Sequence, residues 1–411
     1  MAERFRQVRT LTEGLAEGLA AEDQVVQPMA DASPTKWHLA HTAWFFENFL
    51  LAPQLDGYRL FHPQFGYLFN SYYETVGARH PRPRRGMLTR PTVREVSDYR
   101  SHVDAAMQDL MSTAEAATWD RIEAVIELGL NHEEQHQELI LTDLLYLFSC
   151  NPLKPAYQPY RPAPAGAAKA LEWFDFEGGV YEIGHDGSGF AYDNETPRHQ
   201  VLLHPFRIAS RLVTNAEWQA FIADDGYRRP ELWLSDGWAT VRNEGWEAPL
   251  YWESGEGSLS SMTLSGMQPV DGDAPVCHVS FYEADAFTRW AGERLSTEAE
   301  WEVAARDLEV AGNTPASGLL RPTPATGAGG APLQMFGDLW EWTQSPYAPY
   351  PGFQPRPDAI GEYNGKFMCN QIVLRGGSCA TPAGHIRASY RNFFYPHQRW
   401  QFSGLRLTED A

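Results

Sequence analysis

From Trp119 to Phe148 the chain contains no proline and reads as one long helix, with His132-Glu-Glu-Gln-His136 near its middle. Positions i and i+4 lie one turn apart on one face, so both imidazoles can reach a single metal ion. Apolar Val125, Ile126, Leu128 and Leu139 flank the pair and turn that face toward an interior, while Glu133, Glu134 and Glu138 fall mostly on other faces. Two helical histidines alone are as often core packing as ligands. A third shifts the balance: His41 lies in an earlier helical segment, in an apolar stripe with Trp37, Trp44 and Phe45. His38 is one residue short of a helical turn from His41 and is the weaker candidate. A ligand pair on one helix and a third ligand on its neighbour is an inward-projecting arrangement that helix bundles support.

The rest of the first 151 residues fits such a bundle. Residues 3–21 are amphipathic. Ser33 is expected as N-cap with Pro34 at the first helical position of the His41 helix, and Thr92-Val-Arg-Glu95 is a capping box opening a helix to about residue 115. Four helices with one long connection, residues 51–91, predict a four-helix bundle over 1–151. The proline- and alanine-rich stretch 152–170 reads as a linker. Beyond it, 171–411 is rich in Gly, Trp, Tyr and short extended pieces, with helices signalled at Thr214-Asn-Ala-Glu217, Ser280-Phe-Tyr-Glu283 and Thr297-Glu-Ala-Glu300. The fold class is therefore α+β.

HEEQH also fits the zinc-protease pattern HExxH, in which the Glu is the general base, but the expected downstream third ligand is not evident. Three neutral imidazoles leave positions open on the ion, and zinc would accept the set as readily as iron. A formal charge of −20 argues against a nucleic-acid partner. No run approaches the roughly 18 apolar residues of a membrane span, and the N-terminus lacks a signal peptide's apolar stretch. A cytoplasmic protein is expected, and a homo-oligomer is left open. Cys150, Cys277, Cys369 and Cys379 include no CxxC pair, so neither a disulfide framework nor a cysteine zinc site is suggested. The 33 basic residues include only four lysines, Lys36, Lys154, Lys169 and Lys366. Arginine grips carboxylates in a bidentate fork that lysine cannot form.

SPTKWHLAHTAWFFE, FNSYYE and NHEEQHQE, together with DLWEWT, VLRGGS and YRNFFYPHQRWQFSGLRL near the C-terminus, closely resemble the sulfoxide synthases of ergothioneine biosynthesis, the EgtB family. The resemblance spans essentially the whole chain. It implies a DinB-like bundle followed by a domain of the formylglycine-generating (FGE-sulfatase, C-type-lectin-like) fold. It also implies Fe(II) held by His41, His132 and His136, with hercynine (N-α-trimethylhistidine), a cysteine derivative and O2 as substrates. The products' chemistry would be a C–S bond at imidazole C2 and a sulfoxide, the two substrates supplying all four electrons. Tyr72 and Tyr73 resemble the tyrosine pair of the cysteine-using subgroup and would donate a proton to reduced oxygen; two aromatics stabilising a loop is the alternative. Gln135 and Asn392 match hercynine contacts. Phe393 and Phe394 could receive the trimethylammonium group, since aromatic faces favour quaternary ammonium ions, or simply pack in a core.

Members using γ-glutamylcysteine bind its extra carboxylate with an Asp and an Arg; this chain has Phe394 and Gln398 at those positions, which favours free L-cysteine. Arg79, Arg82, Arg84, Arg85, Arg90 and Arg94 form a cluster without an intervening acid. Arg82 and Arg85 are spaced like the family's arginine pair and are the first choice for the cysteine carboxylate; a solvated loop accounts for most of the six. Formylglycine-generating enzymes use two cysteines shortly after RGGS, whereas here Cys379 stands alone at a different position. That activity is not expected, and the C-terminal domain is expected to furnish an active-site wall. The rivals are an ovothiol-type 5-histidylcysteine sulfoxide synthase, whose frequently fused methyltransferase domain has no counterpart here, and a non-catalytic, metal-binding DinB-like protein.

Overall fold

The computed structural model of the protein describes every residue except 75, 164, 165, 256, 328, 356–360, 362 and 363. The chain divides after Tyr157 into a unit of Met1–Tyr157 and a second unit of Gln158–Pro355 with Asn364–Ala411. Residues 164 and 165 of the proline-rich stretch lie outside the described residues.

The first unit contains four principal helices: α1 (Ala2–Glu17), α2 (Thr35–Phe46), α3 (Val93–Thr113) and α4 (Ala116–Cys150). Helix α1 packs on α4, and α2 packs on both α3 and α4. Their shared interior holds Trp44, Phe45 and Phe46 of α2, Tyr99 and Met107 of α3, and Ile126 and Leu130 of α4. Each such side chain contributes roughly 1.5–3 kcal/mol on burial. Gly129 lets α2 come close to α4, because a Cβ there would lie 2.6 Å from the Phe46 ring and 2.8 Å from that of Phe45. That approach occurs three residues before His132.

The capping box of α3 forms as expected: Thr92 Oγ1 accepts from the Glu95 N–H at 3.2 Å, and Glu95 accepts from the Thr92 N–H at 2.7 Å. Helix α2 starts one residue later than expected. Pro34, with ψ 144°, is its N-cap rather than its first helical residue. Ser33 has other partners: its N–H donates to Asp143 at 2.7 Å, and its hydroxyl accepts from Arg85 at 2.9 Å. At its far end α2 passes into a π-helical turn, Glu47–Leu51. The buried Glu47 carboxylate accepts from the Tyr58 hydroxyl (2.9 Å), the Phe61 N–H (3.1 Å) and the Tyr99 hydroxyl (2.7 Å). Three donors make that burial tolerable and tie the long connection to α2 and α3.

Glu133 draws on all four helices. It accepts from Arg9 Nη1 of α1 at 2.8 Å and from Arg100 Nη2 of α3 at 3.0 Å. Arg9 also binds Asp104 of α3, and Arg100 donates to the Leu39 carbonyl (3.0 Å) and the Thr42 hydroxyl (2.9 Å) of α2. The faces of α4 beside the histidines are thus buried, not solvated.

Among the described residues of the second unit, twelve short strands, numbered β1–β12 in chain order, form a four-stranded sheet, two three-stranded sheets and a hairpin. The four-stranded sheet has the order β10 (Asn392–Phe394), β9 (Ile372–Arg375), β8 (Trp340–Pro346), β11 (Ser403–Gly404). Its β8–β11 pair is parallel and the others antiparallel. The three expected capping boxes all open helices here. Buried bidentate pairs brace the interior: Arg391 on Glu298 at 2.8 and 3.0 Å, and Arg406 on Glu341 at 2.9 Å through both nitrogens. This is where much of the arginine bias goes, since a lysine could satisfy only one oxygen of each pair. The helical bundle followed by a sheet-bearing domain is the α+β organisation expected. No described helix is long and apolar enough to cross a membrane.

Burial pushes the Glu133 pKa up, but Arg9 and then Arg100 outweigh it and bring it down from 4.5 to about 2. A depressed carboxylate stabilises the fold fully above its unfolded pKa and loses that contribution as pH falls through the folded value. Glu133→Gln, which removes the buried carboxylate shared by two guanidinium groups, should cost about 3–5 kcal/mol at neutral pH. The wild-type and variant stabilities should converge between pH 4.5 and about 2 in urea denaturation series; a pH-independent gap would show that Glu133 is not held this way.

Candidate metal centre

His41 of α2 and His132 and His136 of α4 each turn one ring nitrogen toward a common point, and those atoms all lie within 4.8 Å of one another. All three residues are buried. Among the described residues, they form the one group of three with metal-ligating geometry. Nε2 of His41 and Nε2 of His132 are 3.3 Å apart, too close for two N–H groups to face each other and suited to two lone pairs sharing a cation.

The segment just before the tyrosine pair orients His41. The Phe69 carbonyl lies 2.6 Å from His41 Nδ1, which places the proton on Nδ1 and leaves the Nε2 lone pair facing inward. Trp37 and Trp44 stack on the imidazole at ring separations of 4.6 and 5.4 Å and interplanar angles of 13° and 15°. Both indoles are fixed by the same segment: Trp37 donates to the Leu68 carbonyl and Trp44 to that of Gly66, each at 3.2 Å. On α4, Nδ1 of His136 lies 2.8 Å from Nδ1 of His38, whose Nε2 is 3.0 Å from Asp143. His38 therefore partners His136 and is not one of the three converging histidines.

Burial pushes the His132 pKa down to about 4. Burial, then the neighbouring His132, holds His41 well below the usual imidazole range, and burial with His132 and His41 does the same for His136. Three neutral imidazoles offer their lone pairs at neutral pH with no proton to displace. The donor set fits a divalent first-row ion with positions left open for substrates. Glu133 is not placed as the base of a zinc protease, because Arg9 and Arg100 already engage both of its carboxylate oxygens.

Tyr72 and Tyr73 lie 4.6 Å apart, ring to ring. Asn70 shapes their turn: its side-chain oxygen accepts from the Tyr73 N–H at 3.1 Å, and its amide donates to the Tyr73 and Gly77 carbonyls. Tyr73 is buried, with its ring 5.6 Å from Trp44, so one indole separates it from His41. Tyr72 and Gln135 are half-buried.

The arginine cluster separates into one interior residue and a solvated remainder. Arg85 is 3% exposed, whereas Arg82, Arg84, Arg90 and Arg94 are exposed and Arg79 pairs with Glu74. Arg82 donates to the Asp31 carbonyl, so it does not join Arg85. The Arg85 guanidinium lies 3.4 Å from the Trp37 ring centre and donates to the hydroxyls of Ser33 (2.9 Å) and Ser71 (3.1 Å). It forms no ion pair among the described residues, and its buried Nε–H has no hydrogen-bond partner. Burial, then Arg82, pushes its pKa well down, and its charge in turn lowers the pKa values of His41 and His136. Arg85 is thus a buried cation within electrostatic reach of the histidines, and the Asp143 carboxylate, which shares Ser33 with it, offsets its charge only in part.

In the second unit, Asn392, Phe393 and Phe394 form β10. Phe393 stacks on Tyr347 at 4.0 Å, and Phe394 meets Trp400 edge-on. The Gln398 side chain caps the local turn by accepting from the Tyr395 N–H. Cys379 is buried and none of the four cysteines is in a disulfide.

Sequence reasoning ranked His38 only as a weak ligand and passed over Asp143. Asp143 follows His136 by seven residues, two turns along the same face, and that spacing was readable. The Phe69 carbonyl left no signal in residue type. Replacing His132 with alanine should largely abolish metal binding, measured as metal per chain after anaerobic Fe(II) loading and desalting; unchanged occupancy would refute the ligand assignment.

Two family models match the chain: the DinB superfamily over residues 4–140, and the sulfatase-modifying factor enzyme 1-like domain over residues 164–318 and 330–411. The chain is 34% identical over 415 residues to a hercynine oxygenase of Mycolicibacterium smegmatis, covering 92% of this chain and 91% of that one. It is 34% identical over 403 residues to a hercynine oxygenase of Mycobacterium tuberculosis, with the same coverage of 92% and 91%. Ergothioneine biosynthesis protein 1 of Schizosaccharomyces pombe is 29% identical over 235 residues, covering 54% of this chain and 28% of that protein.

Proposed function

We propose that this chain, which belongs to the hercynine oxygenase (EgtB) family of ergothioneine biosynthesis, is an Fe(II)-dependent synthase that joins hercynine and L-cysteine with O2 to give hercynylcysteine sulfoxide. The observation that carries this is the buried triad of neutral imidazoles in a chain similar to hercynine oxygenases over nine-tenths of its length. In the overall reaction the imidazole C2–H and the cysteine S–H are replaced by a C–S bond, and the sulfur gains one oxygen. The two steps release two electrons each, and O2 takes all four, with its second oxygen leaving as water.

His41, His132 and His136 would hold the iron, which when bound would supply coordination sites for both substrates and a partner for O2 reduction. The protein's own contribution follows from its residues. Arg85, buried, in no direct ion pair among the described residues and with its Nε–H unpartnered, would fix the cysteine carboxylate through charge-assisted hydrogen bonds. Asn70 holds the backbone turn of Tyr72 and Tyr73, and a phenol of this pair would deliver a proton to oxygen as it is reduced. The burial of the triad excludes bulk water from the reacting groups. Gln135, next to a ligand histidine, is the hercynine contact we favour on the bundle. The YRNFF motif carries the assignment of Asn392, Phe393 and Phe394 to the same substrate. Arg82 is the weaker half of the arginine pair, since it is exposed. Phe394 and Gln398 offer no charge to a γ-glutamyl carboxylate, which supports free cysteine as donor.

Fe(II)-loaded protein should convert hercynine plus cysteine to a sulfoxide detectable by mass spectrometry, and should do so faster than with histidine or γ-glutamylcysteine. No sulfoxide from any of the four pairings would sink the assignment, and preference for histidine would favour the ovothiol-type reaction. Arg85→Gln should raise KM for cysteine about tenfold or more, the scale of a lost charge-assisted hydrogen bond, and leave KM for hercynine nearly unchanged. Tyr73→Phe should depress sulfoxide formation and divert cysteine to sulfinic acid; unaltered products and turnover would remove it from the chemistry.

A further inference from the structure

We propose that His38 and Asp143 act as a relay that places negative charge behind His136 and so sets its strength as a metal ligand. The proposal rests on the three-histidine metal centre described above and adds two positioning residues to it.

With a metal on Nε2 of His136, the hydrogen bonds admit one proton arrangement. His136 turns Nδ1 toward His38 at 2.8 Å, which leaves its Nε2 for the ion. A metal on Nε2 puts the remaining proton on Nδ1, so His136 donates to Nδ1 of His38. The proton of His38 then resides on Nε2 and is donated to Asp143 at 3.0 Å. The carboxylate thus acts on the metal ligand through one intervening imidazole. Partners of this kind fix a ligand's tautomer and raise its basicity.

Packing alone does not account for these residues. His38 and Asp143 are 2% and 6% exposed, and burying an imidazole–carboxylate pair is costly where an apolar pair would fill the space. The support is also unequal between ligands. His41 is backed by the neutral Phe69 carbonyl, whereas His136 is backed by an anion. The asymmetry makes His136 the stronger donor and favours the oxidised state of a bound metal.

Asp143→Asn is a clean test because one carboxylate oxygen, Oδ2, accepts from both the Ser33 N–H (2.7 Å) and His38. An asparagine carbonyl in that position keeps both bonds, and its amide would face the Thr142 hydroxyl, now 3.5 Å from Oδ1. Shape and hydrogen bonds persist while the charge is lost. In the full-length protein loaded anaerobically with Fe(II), the Asp143→Asn variant should show a raised Fe(III)/Fe(II) potential by EPR-monitored titration. Its Fe(II) affinity, measured by chelator competition, should fall about tenfold or more, with little change in the Tm of the metal-free protein. His38→Gln, which can still accept from His136 but severs the carboxylate, should shift the potential in the same direction and carries the test if Asp143→Asn does not fold. Wild-type potential and affinity in the folded variants would overturn the relay while leaving the metal centre intact. A wild-type protein that binds no metal would instead overturn the metal centre, and the relay with it.

Discussion

One buried carboxylate organises the bundle. Glu133 binds Arg9 and Arg100, and through them reaches α1, α3 and the start of α2's ligand-bearing turn. A charge in that interior is tolerable only when it is fully paired, so the four helices must meet in one register to satisfy it. His132 immediately precedes Glu133, and His41 immediately precedes Thr42, which accepts from Arg100. The ion-pair lattice thus holds the residues next to two of the three converging histidines and constrains the helix rotations that aim them. Gly129 removes the side chain that would otherwise hold α2 and α4 apart.

A second constraint comes from the segment 65–70. It adds no side chain to the three converging histidines, yet three of its carbonyls engage Trp44, Trp37 and His41, and Asn70 sets the turn of the tyrosine pair. One short stretch therefore controls the orientation of a ligand, the aromatic walls on both its faces, and the proposed proton donor. Arg85 is attached to the same construction through Trp37 and Ser71. The proposed carboxylate receptor and the metal centre consequently share a wall, and a change in one should be felt in the other.

Much of this was legible from the chain. The i, i+4 histidine pair, the third histidine in an apolar stripe and the capping boxes are local patterns, and each appears where periodicity placed it. The motifs also identified the family to which the chain belongs. What periodicity could not supply was long-range pairing. Ser33 has the composition of an N-cap, but Asp143 and Arg85, distant in sequence, claim its N–H and hydroxyl, and the cap falls to Pro34. Spacing singles out Arg82 and Arg85 among the six arginines; only burial separates Arg85 from Arg82. In sequence Glu133 is only a residue off the histidine face; Arg9 and Arg100, on two other helices, make it the centre of the bundle.

The proposed function depends most on three imidazoles, and nothing else from the chain, binding the iron. X-ray absorption spectroscopy of the anaerobic Fe(II) protein tests that directly. Three imidazole nitrogens with light-atom solvent ligands are predicted, followed by the appearance of an iron–sulfur distance when cysteine is added with hercynine. Two or fewer imidazoles, protein carboxylates in the coordination shell, or no sulfur scattering in the presence of both substrates would contradict it.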